Sequence, residues 1–143
     1  MEINAFINFN GNCRQAAEYY AKVFQADPPR IASYGDNPPD PQFPMTEEVK
    51  KLVMYTEVIL EGGKLMLSDA PPGMPLQQGN NISIAINAGD KEKLKAWFNA
   101  LKEEGAVEME LEKTFWSELY GSVTDKFGIT WQFNCKQNRN VSW

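Results

Sequence analysis

Tyr55 and Glu57 stand two positions apart, which on a strand puts a phenol and a carboxylate on one face. A buried glutamate with a raised pKa can take a proton as a general base, and a phenol can donate to an oxygen that gains charge. The same spacing also serves a surface or interface pair, and no third residue in the sequence completes a constellation around them. A second set of residues is uncharged. Asn81, Ser83 and Asn87 alternate with Ile82, Ile84 and Ile86, and Thr130, Gln132 and Asn134 alternate with Ile129, Trp131, Phe133 and Cys135. Period two gives each strand an apolar face and a hydrogen-bonding face. The polar faces suit either the floor of a site for a neutral ligand or a wet sheet surface. Trp116 and Tyr120, which share strand parity with Glu118, can stack on a planar molecule or serve core packing or a dimer contact. The candidates are therefore Tyr55 and Glu57 for catalysis, and Asn81, Ser83, Gln132, Trp116 and Tyr120 for ligand binding. Cys13 stands at the first turn of a helix, where the dipole can lower a thiol pKa, although a structural cysteine fits the same place. Cys135 falls on an apolar strand face and reads as core. Asp69 reads as a strand-end turn acid first and a pocket residue second.

The bulk of the sequence narrows the chemistry. Its 143 residues contain no histidine, which removes the commonest general base and the commonest transition-metal ligand. With 14 basic and 19 acidic residues the formal charge is −5, so nucleic acid and anionic membranes are not expected partners. No apolar run approaches the roughly 20 residues of a membrane span. Strand-like sequence directly after Met1 argues against a signal peptide. Two cysteines outside any metal-ligand spacing suit a reduced, cytoplasmic setting. The chain is of single-domain size.

The elements that position these residues follow from periodicity and turn chemistry. Residues 3–9 read as a strand. Gly11 and Asn12 break it, and Asn12 is placed to cap a helix that carries Ala16, Tyr20, Val23 and Phe24 at helical spacing. A short strand at 30–34 precedes a proline- and acid-rich loop at 35–48, inside which Thr46 can cap a short turn. Residues 52–61 and 64–69 form a hairpin about Gly62 and Gly63. After an irregular connector at 70–79 comes a strand at 81–87. Asp90 then caps a helix bearing Leu94, Trp97, Phe98 and Leu101, and Gly105 is placed to terminate it. A strand at 107–111 leads to a final hairpin over 116–134, turning at Lys126-Phe127-Gly128. The order strand, helix, strand, strand, strand thus occurs twice. The reading is α+β: two paired βαβββ modules, at 1–72 and 80–136, with the loop at about 35–49 inserted in the first module only. Modules of this size need their sheets covered by each other or by another subunit, so a homodimer is expected. The terminal stretch carries no signal except an apolar end at Trp143.

FINFNGNCRQAAEYYAKVFQA at 6–26, VMYTEVILEGGKLMLSDAPP at 53–72 and WSELYGSVTDKFGITWQFN at 116–134 resemble the vicinal oxygen chelate superfamily of glyoxalase I, fosfomycin- and bleomycin-resistance proteins and extradiol dioxygenases. The details are most similar to its PhnB-like branch, often labelled with a demethylubiquinone methyltransferase name. The resemblance covers nearly the whole chain. It implies a cup in which active members bind a divalent metal through His, Glu or Gln on the first and last strands of each half. Carried over position by position, those sites fall on Ala5, on Leu67 (or Met66 with a one-residue slip), on Asn81 and on Gln132. Ala and Leu cannot coordinate a metal, and neutral amides are poor ligands for a transition metal. Where PhnB-like sequences commonly carry a histidine before the Glu of the long third strand, Tyr55 precedes Thr56-Glu57 here. The expectation is therefore a protein with no metal or other cofactor that binds a small molecule of unknown identity. The alternatives are a lyase, isomerase or dioxygenase with an atypical metal site, and a non-catalytic dimeric interaction module. The methyltransferase label has no support in a glycine-rich strand-to-helix turn followed by an acid.

Overall fold

The computed structural model describes residues 1–135, so Trp143 lies outside the described residues. The chain divides into two compact units, Met1–Gln77 and Gln78–Trp143. The first contains β1 (Ala5–Phe9), α1 (Cys13–Val23), β2 (Ile31–Ser33), a short α2 (Glu47–Lys50), β3 (Val53–Leu60) and β4 (Gly63–Asp69). The second contains β5 (Ser83–Ala88), α3 (Lys91–Lys102), β6 (Ala106–Glu112), β7 (Leu119–Thr124) and β8 (Thr130–Cys135). Each is a βαβββ module of the α+β class, with a four-stranded mixed sheet ordered β1-β4-β3-β2 or β5-β8-β7-β6. In each sheet the first strand runs parallel to the last and the remaining pairs are antiparallel. The extra length of the first module lies between β2 and β3, at residues 34–52, against 113–118 in the second.

Each sheet buries one face under its own helix. In the first module Ala16, Ala17 and Tyr20 of α1 are sealed together with Phe9, Thr56, Val58, Leu65 and Leu67. In the second, Leu94, Phe98 and Leu101 of α3 join Val123, Trp131, Phe133 and Cys135, with the Phe98 and Phe133 rings edge-on at 5.9 Å. Strand alternation therefore sends the intervening residues to the opposite face of each sheet.

Two buried aspartates tie down the ends of these elements. Asp69 is at the end of β4 and 1 % exposed. Its Oδ1 accepts from the backbone N–H groups of Gly11 and Cys13, and its Oδ2 from that of Val53, at 2.9–3.0 Å. The strand-end reading of Asp69 understated it: this carboxylate caps α1, whereas Asn12, placed at the N-cap by its sequence position, makes no side-chain capping bond. Asp90 caps α3 as expected, accepting from Glu92 and Lys93. Asp125 is the second buried anchor. It accepts from the N–H groups of Phe127 and Ile129 through Oδ1, and from the Trp131 indole at 2.8 Å through Oδ2, which locks the β7–β8 turn around Gly128 at φ +85°.

Gly105 does not end α3 through a left-handed residue. A Cβ there would lie 2.3 Å from the Thr124 carbonyl oxygen and 2.6 Å from that of Leu101, so glycine is required by the close approach of helix and strand. Ile82 and Asn81 lie ahead of β5 and are exposed, so the alternation seen at 81–87 begins to act as a strand only at Ser83. Similarly, Trp116 precedes β7, in a turn closed by hydrogen bonds between Thr114 and Ser117.

Candidate functional site

On the face of the second sheet away from α3, the register aligns Tyr120 with Asn134, Asn134 with Asn87, Ser122 with Gln132, and Gln132 with Ala85. A concavity of about 280 Å³ sits on this face, lined by Ala85, Asn87, Trp116, Tyr120, Gln132 and Asn134. None of these side chains is charged. The volume lies just below the roughly 300–1,000 Å³ of typical ligand sites, which suits a fragment-sized molecule. Among the described residues, a larger hollow of about 540 Å³ is lined by Asn99, Ala100, Lys102 and Glu103. These residues form the C-terminal end of α3 and its C-cap, one helix surface among the described residues.

The polar groups of the concavity form a short network. Tyr120 donates to Gln132 Oε1 at 2.9 Å, and Gln132 Nε2 donates to Ser83 Oγ at 2.8 Å. Both ends of the Gln132 amide are thereby engaged. Asn134 Nδ2 donates to Asn87 Oδ1 at 3.0 Å, which leaves Asn134 Oδ1 buried with no hydrogen-bond partner. An unmet buried acceptor costs about 1–3 kcal/mol, so such groups are uncommon and ask for a reason. Trp116 forms one wall: its ring lies 5.5 Å from Tyr120 and 4.8 Å from Phe115, both edge-on, and Phe115 is 92 % exposed.

Of the residues that the sequence singles out for binding, the fold brings together Ser83, Gln132, Trp116 and Tyr120. Asn81 stays outside, in an exposed bend before β5. Asn87 and Asn134, which belong to the same polar alternation but were not among the binding candidates, line the concavity. What distinguishes them is pairing across β5 and β8, which a single strand's pattern does not reveal.

Tyr55 and Glu57 do share the open face of the first sheet. The Tyr55 hydroxyl donates to Glu57 Oε1, and Lys64 Nζ approaches the same oxygen at 3.1 Å. The bond from Tyr55, then that from Lys64, holds the Glu57 carboxyl below its ordinary range. The raised pKa that a buried general base requires is therefore absent. Burial, followed by the bond to Glu57, pushes the Tyr55 phenol up to about 12. The pair is an ionised carboxylate held by a phenol and an ammonium. Burial, with the Asp69 charge adding to it, pushes the Cys13 thiol up to about 12, so the helix dipole does not activate it.

The donor sets of the two modules do not fit a catalytic metal. Leu67 is fully buried on the α1 side and Ala5 shares the parity of Phe9, so neither reaches the open face. The residues that do are Phe6, Met66 and Glu57 on aligned positions of the first sheet, and Ala85, Gln132 and Ser122 on the second. They offer a thioether, a carboxylate already paired with a lysine, and an amide with both ends engaged, a poor set for a divalent cation. Among the described residues no three His, Cys, Asp or Glu side chains cluster.

Over residues 1–134 the chain matches the model of the family described as 3-demethylubiquinone-9 3-methyltransferase. It is 31 % identical over 146 aligned positions to Protein YjdN of Escherichia coli (strain K12), covering 94 % of this chain and 95 % of that protein. The crystal structure of protein PA1353 from Pseudomonas aeruginosa is similar with a TM-score of 0.81 and 33 % identity, covering 96 % of this chain and 99 % of that one. A glyoxalase/bleomycin resistance protein from Albidiferax ferrireducens T118 shares the fold at 12 % identity, with a TM-score of 0.61 and coverage of 95 % and 99 %.

Proposed function

We propose that this chain, which belongs to the PhnB-like 3-demethylubiquinone-9 3-methyltransferase family within the glyoxalase/bleomycin-resistance fold group, binds a small molecule without a metal, on the polar face of its second module. The observation that carries this reading is the concavity lined by Trp116, Tyr120, Gln132 and Asn134, uncharged among its described residues, where Asn134 keeps a buried acceptor without a partner. Anything that binds only the folded chain stabilises it by mass action. A thermal-shift screen of neutral fragments should raise the melting temperature for some members and move the Trp116 indole N–H resonance. A broad screen with neither response would sink the reading.

The methyl transfer in the family's description gains no support from the topology. Each sheet here is mixed, with one parallel pair, and lacks the doubly wound parallel arrangement that presents a glycine-rich turn to an adenosyl group. A second reading, a lyase, isomerase or dioxygenase, rests on Tyr55, Glu57 and Lys64. The lowered carboxyl and the raised phenol leave a poor base and a poor acid near neutral pH. Activity that is found and then lost in Glu57→Gln would restore it. Self-association as a homodimer is part of the proposal: Phe6 and Ile59, 48 % and 59 % exposed, give the open face of the first sheet an apolar component. Native mass spectrometry should show twice the chain mass, and a monomer at micromolar concentration would refute it. The described helices include none long and apolar enough to cross a membrane. A cytoplasmic setting, where thiols stay reduced, accords with Cys13 and Cys135 as buried thiols.

A further inference from the structure

We infer, on the premise that the second module's concavity is a binding site, that its ligand is a neutral planar ring with an amide-like edge, a hydrogen-bond donor beside an acceptor. The argument starts from the Asn87–Asn134 pair. One bond joins the two amides, from Asn134 Nδ2 to Asn87 Oδ1. That bond uses one N–H of Asn134 and one lone pair of Asn87, so the Asn134 oxygen and the Asn87 amino group are the two ends it leaves unengaged. Turning both amides over exchanges which residue keeps which group but still leaves one of each. The pair therefore presents complementary halves to a molecule that carries both, as a lactam, a carboxamide or a pyridone does. In the orientation that leaves Asn134 Oδ1 buried and unmet, the donor on the ligand is the more important half. Because that atom has almost no exposed surface, binding requires a local rearrangement, and the bond formed there supplies one that the free protein lacks.

The rest of the wall restricts the class further. Gln132 is held by Tyr120 and Ser83, so it shapes the floor and is not free to adapt. No lining residue among those described is charged, so neither a carboxylate nor an ammonium would recover its lost hydration there. Phe115, Trp116 and Tyr120 form a run of rings that can stack on a flat face. A volume of about 280 Å³ admits one small ring system.

The test uses 2-pyridone, N-methyl-2-pyridone and benzoate as probes on the full chain, followed by ¹H–¹⁵N spectra with the Trp116 indole assigned through Trp116→Phe. 2-Pyridone should move the Trp116 indole and Asn134 side-chain signals. N-methyl-2-pyridone, which keeps the ring and the carbonyl but loses the donor, should bind about tenfold more weakly, the value of one neutral hydrogen bond. In Asn134→Leu, with an unchanged circular dichroism spectrum, the two should bind alike. Equal binding of both pyridones to the native chain, with Trp116 still responding, would overturn the ligand class and leave the site standing. Preference for benzoate would do the same. A Trp116 signal that answers none of the three would overturn the ligand class, and the fragment screen on the same signal would then decide the site itself.

Discussion

The two modules place a tyrosine on the same row and use its hydroxyl differently. Thr56 opposite Leu67 corresponds to Gly121 opposite Phe133, so Tyr55 matches Tyr120, Glu57 matches Ser122, Met66 matches Gln132, and Ser68 matches Asn134. On the first sheet the phenol meets a carboxylate and an ammonium, and the neighbouring row is closed by Ser68 donating to Asn8 at 2.9 Å. On the second sheet the phenol meets an amide, and the neighbouring row keeps an acceptor without a partner. One backbone register thus carries a satisfied charged cluster in one module and an unsatisfied neutral one in the other. The difference is the reason the proposed binding is assigned to the second module.

Helix capping is also exchanged between the modules. In the first, Asn12 is idle and Asp69 at the end of the last strand caps α1. In the second, Asp90 caps α3 itself, and the strand-end position matching Asp69 is Cys135. Replacing Asp69 by Ala is the most damaging change expected, at about 3–4 kcal/mol in urea unfolding, because three backbone donors lose their partner together. Asp125→Ala should follow at about 2–3 kcal/mol, through loss of the turn bonds and the Trp131 indole bond. Asp90→Ala should cost about 1 kcal/mol, as an ordinary N-cap does, and Asn12→Ala under about 0.5 kcal/mol. If Asn12→Ala proves as costly as Asp90→Ala, the exchange of caps is wrong.

The pH responses of the first module sharpen the contrast. Cys13 ionises at a higher pH folded than unfolded, so its contribution is whole below the ordinary thiol value of 9.0 and is lost as pH climbs from there toward about 12. Tyr55 adds a similar loss starting from its ordinary value of 10.0. Equilibrium unfolding at stepped alkaline pH should show a decline that starts near pH 9, and Cys13→Ala should remove that early part. Glu57 has the opposite sign. Its lowered carboxyl favours the fold above the ordinary glutamate value of 4.5, and that contribution disappears as pH falls through the folded value. Because the Tyr55 bond is the largest cause, Tyr55→Phe should move Glu57 back toward 4.5 in a carboxyl ¹³C titration, with Lys64 keeping it partly below. An unmoved titration would show that Tyr55 does not govern the carboxylate. The second module has no matching acid on this row, so Tyr120→Phe should leave acid stability unchanged.

Strand alternation made the two sheets and their polar faces readable in advance, because a side chain's face follows from its parity once a strand exists. Ser83, Gln132 and Tyr120 could be assigned to the polar faces for that reason, whereas Trp116 precedes β7 and parity says nothing of it. Asn81 misled because a periodic stretch does not say where hydrogen bonding to a neighbouring strand begins; here β5 starts two residues later. Leu67 misled through the same parity rule, since a one-residue slip moves a position from the open face to the core. Asp69 and Asp125 look like ordinary turn acids in sequence. Their roles depend on backbone groups brought to them by folding, in the case of Asp69 from 56–58 positions away along the chain for Gly11 and Cys13.

Residue order and period determined the repeated βαβββ order, the two helical faces and the histidine-free chemistry, because each depends on local spacing and composition. Tertiary pairing alone decided which polar residues face one another across β5 and β8, which carboxylate caps α1, and that Asn134 keeps an unmet acceptor. Those outcomes depend on register between distant segments, and a hydrogen bond exists only where that register brings a donor within about 3 Å of an acceptor.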